Sequence, residues 1–191
     1  MKTTREKPEI IRIVYRQEPG DPHYGSCLWA IFDLDPGRGM LNIQSDCGNY
    51  AYRWPERGED FLKIFQRTTD GYLLEKLCGK PQDVDTEATI KRIREYLEEM
   101  EIPKSRRKRL IGYLESTFSE YTLDDELSLA QFPVDEWNSD YDVEIDQAWE
   151  LVETDYGAWQ KRIVDIFQKH VVPEIEKIIA EGGSDGTDDK D

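Results

Sequence analysis

The chain is 191 residues long, with 41 acidic against 25 basic residues, a net charge of -16, and 38% apolar and 35% charged content. A balance that negative argues against direct binding to nucleic acid or to an anionic membrane, since both repel it, and no apolar run approaches the roughly 20 residues that a membrane helix needs. Five Trp, ten Tyr and six Phe supply bulky core material, which argues against disorder over most of the length.

Residues 9–17 are β-branched and ringed and predict a first strand, broken by Pro19-Gly-Asp-Pro22. Residues 27–34 form a second run, apolar on both faces and so expected to be central. Asp35-Pro-Gly-Arg-Gly39 is a turn by composition. Residues 40–46 and 49–54 then alternate, with Leu41 and Ile43 on one face and Tyr50, Tyr52 and Trp54 on one face. Cys47-Gly48 between them fits a tight hairpin. Links this short predict an antiparallel meander of about four strands.

After Pro55 the period changes to helical. Phe61, Leu62 and Phe65 share one face, and residues 71–79 read as a short helix closed by Gly79. Asp85 is the expected N-cap of a helix running through Met100, with Ile90, Ile93, Leu97 and Met100 inward, stopped at Ile102-Pro103. Residues 105–118 predict another helix, with Leu110, Ile111, Leu114 and Phe118 apolar. Ile145, Trp149, Val152, Tyr156, Trp159, Ile163 and Ile166 alternate by fours and threes, which predicts one long helix to His170, interrupted by Pro173. Its seam is expected to enter the protein's own core, the alternative being a coiled-coil face that makes an oligomeric scaffold. The fold class expected is α+β: an antiparallel sheet with short helices over residues 1–80, a helical acidic region packed on it over 81–181, and a disordered tail over 182–191.

Ser45-Asp-Cys-Gly-Asn-Tyr-Ala-Tyr-Arg-Trp54, followed by Phe61-Leu62 and Tyr72-Leu-Leu-Glu-Lys-Leu77, resembles a pattern in small uncharacterised proteins of phages and mobile elements. The resemblance spans residues 27–79. It implies a phage or integrated-element origin and a compact α+β fold, and it implies no catalytic residue.

Reaction chemistry finds little support. Cys27, Cys47 and Cys78 are an odd count without a Cys-x-x-Cys pair. They read as buried apolar thiols in a reducing compartment rather than as a disulfide framework or, with His23, a zinc site. Residues 140–151 fail as a calcium loop, with Ile145 where Gly is needed and Leu151 where Glu is needed. His23 and His170 have no nucleophile motif beside them, and His170 reads as a charge partner for a helix C-terminus. No enzyme activity, cofactor or metal is therefore expected, although carboxylates can act without a motif. The N-terminal segment lacks the apolar stretch of a secretory signal, and a cytoplasmic protein of the host cell is expected.

What remains is charge. Residues 110–160 hold 14 of the 41 acidic residues and none of the 25 basic ones, directly after the cationic run Lys104-Ser-Arg-Arg-Lys-Arg109. Acidic residues near a helix start are favoured by about 0.3–1 kcal/mol each, which accounts for part of the pattern. Asp142, Asp146, Glu150 and Glu153 instead make a like-charged stripe at helical spacing, at a cost of roughly 0.2–0.5 kcal/mol per pair. With Asp124, Asp125, Glu126, Asp135, Glu136 and Asp140, and with Trp137 and Tyr141 as aromatic anchors, the segment predicts a surface for a basic protein partner. In a phage protein that partner is expected to be a host nucleic-acid-binding complex, and the role an anti-CRISPR-like, anti-defence inhibitor; the alternative is a generic phage accessory protein whose acidity serves only solubility. The 104–109 cations are expected to pair with this acidic half.

Overall fold

The computed structural model describes residue 3 and residues 9–100, 102–120 and 148–182. The chain divides into two compact units, residues 1–80 with 157–191, and residues 81–156. The fold is α+β, opening with a four-stranded antiparallel sheet and continuing in helices.

In the first unit, β1 (Ile11–Arg16), β2 (Trp29–Asp35), β3 (Met40–Ser45) and β4 (Gly48–Arg53) lie in sequence order, each antiparallel to the next. The register puts Ile13 opposite Phe32, Phe32 opposite Ile43 and Ile43 opposite Tyr50, so one apolar row crosses the sheet. Phe32, Leu34, Leu41 and Ile43 are at most 1% exposed, and each such side chain contributes about 1.5–3 kcal/mol on burial. The alternate residues face outward, Val14 being 50% and Trp29 39% exposed. The meander follows the alternation in the sequence, with one shift. Asp46-Cys47 forms the hairpin turn and Gly48, at φ 117°, opens β4. A side chain at 48 would meet the Tyr50 ring.

The inward face is covered by α1 (Gly58–Ile64), a 3-10 turn (Phe65–Arg67), α2 (Asp70–Cys78), α5 (Ala158–Ile166) and α6 (Val172–Gly182). Thr69 caps α2 by accepting from the Tyr72 N–H, and Gly79 closes it at φ 77°. Rings carry the packing. Phe32 and Phe65 contact Phe167 with centroids 5.7 and 5.1 Å away, and Phe65 continues to Trp54 at 5.3 Å and Phe61 at 5.2 Å.

The expected long helix over 145–170 is not one element. Ala148–Leu151 is a 3-10 turn, Thr154–Asp155 a short strand, and α5 starts only after Gly157. The periodicity was real in the letters, but the backbone at 154–155 pairs with a distant strand instead of with its own turn. Ile163 and Ile166 are fully buried, whereas Trp159 is 53% exposed; Ile145 lies outside the described residues. Pro173 does not interrupt the helix either. The five residues Phe167–Val171 form a π-turn, in which the Val172 N–H reaches back to the Phe167 carbonyl. Pro173 follows the π-turn directly as the second residue of the next α segment, and the local widening of the helix there accommodates its ring and its missing N–H. His170 consequently sits within the helical run and not at a C-terminus.

In the second unit, β5 (Asp83–Val84) pairs with β6 (Thr154–Asp155). The Asp85 carboxylate accepts from the Ala88 N–H and caps α3 (Thr86–Glu99), as the sequence predicts, and Met100 is its C-cap. Pro103 precedes α4 (Lys104–Glu120). Ile93, Leu97, Leu110 and Leu151 form the buried core, with Tyr96, Met100 and Ile111 packed against it. The side chains of Leu114 and Phe118 lie outside what is described.

Candidate functional site

The acidic segment is described only at its end. Asp124, Asp125, Glu126, Asp135, Glu136, Trp137, Asp140, Tyr141, Asp142 and Asp146 lie outside the described residues. Glu150, in the 3-10 turn, and Glu153, just before β6, both expose their side chains. They do not share a continuous helical stripe, because the helix breaks between them. Glu153 is fixed through its backbone alone: its N–H and C=O both bond to the Thr89 hydroxyl, and its C=O also accepts from the Asp85 N–H at 2.8 Å. The α4 cations begin the neighbouring helix of the same unit, with Lys104 and Lys108 exposed.

Cys27 and Cys47 are bonded to each other as a disulfide, Cα atoms 5.7 Å apart, and Cys78 is the free, partly buried cysteine. This corrects the reading of three separate buried thiols. Although 20 residues separate the pair, the meander brings the β3–β4 turn over the start of β2. The Asp46 carboxylate locks that approach by accepting from the Leu28 and Trp29 N–H groups. Cys27, Asp46 and Cys47 place their ligand atoms within 4.8 Å of one another; with the sulfurs bonded to each other, the carboxylate is the single donor left. Burial pushes the Cys78 thiol up from its ordinary pKa, so it is a poor nucleophile at neutral pH.

A second feature, not visible in the sequence, is a cavity of about 840 Å³ along the free edge of β1. Its walls come from β1, the 21–23 loop and the run from α5 through the π-turn into α6. The side chain of Gln17, 8% exposed, holds the loop: its amide donates to the His23 carbonyl, and its oxygen accepts from the Gly25 N–H. His23 is held there at φ 63°, the single non-glycine residue with positive φ among those described. In the cavity wall the Tyr15 and His170 rings are in contact, with centroids 5.0 Å apart. Arg162 donates from Nη1 to Asp165 at 2.8 Å and from Nη2 to the Tyr15 hydroxyl at 3.3 Å. Residues 147 positions apart meet here, and no local pattern could have announced it.

A two-layer α+β unit stapled by one disulfide, together with a small second unit, is the class of protein these elements define. Among the described residues no helix is long and apolar enough to cross a membrane. A family model described as a phage family (Phage_phiTE_072) matches residues 1–173, and the chain belongs to that family. No curated protein and no solved structure matches it.

Proposed function

We propose that this phage protein is an anti-defence factor of the anti-CRISPR kind, which inhibits a host nucleic-acid-handling protein by presenting its acidic, aromatic-studded segment to that protein's basic groove. The observation that carries the reading is the one-signed charge of residues 110–160, which hold 14 acidic residues and no lysine or arginine. Membership of a phage family supplies the setting, because host machinery that handles nucleic acid is what a phage meets on entry. A concentrated negative field steers association with a cationic groove, and aromatic side chains such as Trp137 and Tyr141 act as anchors once contact is made. Glu150 and Glu153 support the reading at the described end of the segment, where both carboxylates face solvent.

The test is affinity capture from host lysate at low and raised salt, followed by competition with nucleic acid. The expected result is a basic, nucleic-acid-handling partner that is released by salt and displaced by its own nucleic acid. Replacing Asp142, Asp146, Glu150 and Glu153 by Asn or Gln should weaken capture while the circular dichroism spectrum stays unchanged. Capture of no such partner, or capture indifferent to the four substitutions, removes this reading.

A further inference from the structure

We infer that the cavity at the β1 edge is a binding site for a phosphate-bearing small molecule of about nucleotide size. The inference rests on which hydrogen-bonding groups in its walls are already used. Every carboxylate there is engaged. Asp165 is shared between Arg162 at 2.8 Å and Lys169 at 2.5 Å, Glu174 holds Lys177 at 2.6 Å, and Asp21 accepts from the Glu18 N–H at 2.7 Å.

The donors are in surplus. Arg16 has no ion-pair partner among the described residues, and the Arg162 Nε–H is buried without an acceptor although its side chain is only 16% exposed. The Tyr15 hydroxyl, having accepted from Arg162, keeps its own proton to give. One carboxylate shared by two cations leaves a net positive charge at Arg162 and Lys169. Leaving a buried donor without an acceptor is unfavourable, and the wall contributes no acceptor to relieve it. What fits is an anion with several acceptor oxygens. Guanidinium groups match phosphate oxygens in this way.

Size and shape narrow the class. A volume of about 840 Å³ lies within the usual range for small-molecule sites, roughly 300–1,000 Å³, and far exceeds a bare phosphate. The contacting Tyr15 and His170 rings, tilted 42° to each other, offer aromatic surface beside the cations, and a base or another planar group can pack on the face of either ring. A local cluster of cations can hold an anion on a protein whose overall charge is negative, since a partly enclosed site focuses the field of its own lining.

The experiment is calorimetric titration of the full chain with inorganic phosphate and with adenosine monophosphate, using uncharged adenosine as a control. Saturable binding of either anion, with none of adenosine, is expected. Arg16→Gln and Arg162→Gln should each weaken it by about tenfold, the loss of one charge-assisted contact. Arg16 is exposed, so its replacement leaves the fold intact even if the Arg162 variant is unstable. Phosphate binding alone supports the anion site, and tighter adenosine monophosphate binding assigns the rings to the base. No binding of either anion at millimolar concentration, or binding that Arg16→Gln leaves unchanged, overturns the proposal. Neither result bears on the acidic segment, which lies in the other unit.

Discussion

The Thr89 hydroxyl accepts from the Glu153 N–H at 3.0 Å and donates to the Glu153 carbonyl at 3.3 Å, closing a link between residues 64 apart in the chain. Thr89 is fully buried, and its hydroxyl uses both its acceptor and its donor on one residue, bonding the two successive peptide groups that flank the Glu153 Cα. This contact, with the β5–β6 pairing beside it, takes residues 153–155 out of the helix that their neighbours' spacing suggests.

Thr89→Val removes both bonds at constant shape and leaves the part-buried Glu153 N–H without its acceptor. The expected loss is about 1–3 kcal/mol, read as a lower denaturation midpoint for the second unit. Hydrogen exchange at the Glu153 amide should accelerate in the variant. Protection equal to that of the parent would show that the link does not hold the strand.

Gly39 sits at φ 62°, and a Cβ there would stand 2.1 Å from the Glu56 carbonyl and 2.7 Å from that of Trp54. The surrounding corner is bonded from several sides, with the Trp54 N–H on the Gly39 carbonyl and the Gly58 N–H on Pro36. Gly39→Ala is expected to destabilise by about 2–4 kcal/mol, combining backbone strain with overlap. Gly71, helical and with nothing near an added Cβ, is the control. Gly71→Ala should stabilise by about 0.5–1 kcal/mol, and both effects are measured by urea denaturation.

Thiol titration of the unfolded, unreduced protein should find one free thiol, Cys78, and three after reduction. A crosslink closing a loop of this length is worth about 3 kcal/mol, so reduction should lower the melting temperature of the first unit. Three thiols without reductant would mean that the pair is open in solution.

Cys78 in the folded protein should alkylate more slowly than a free thiol at the same pH. Burial raises its pKa, and a raised pKa means less of the reactive thiolate until the pH climbs past the ordinary thiol range. Rates with iodoacetamide across alkaline pH, compared with those of the unfolded chain, test the direction. Equal rates would contradict it. The neighbouring Tyr50 hydroxyl is shifted the same way, mainly by burial.

Glu150→Gln with Glu153→Gln should change stability by no more than about 0.5 kcal/mol, since both side chains are exposed. The association rate with a basic partner should fall, and its salt dependence should become shallower. A large stability change would mean that these carboxylates serve the fold.

Local chemistry was legible wherever a few neighbouring residues decide the outcome. Alternation in residues 40–54 gave the β3–β4 ladder, Asp85 gave a helix start and Gly79 a helix end, because caps and pleats act over one turn or one pair of residues. The charge asymmetry of residues 110–160 was likewise open to direct reading. Tertiary structure alone decided the rest. The Cys27–Cys47 bond, the strand at 154–155 that cuts the long helical period, the π-turn that carries α6 through Pro173, and the meeting of Tyr15 with Arg162 and His170 each join residues that no local rule connects. In each case the free energy comes from contacts that exist only after the chain has folded back on itself, and a period of three or four letters carries no information about them.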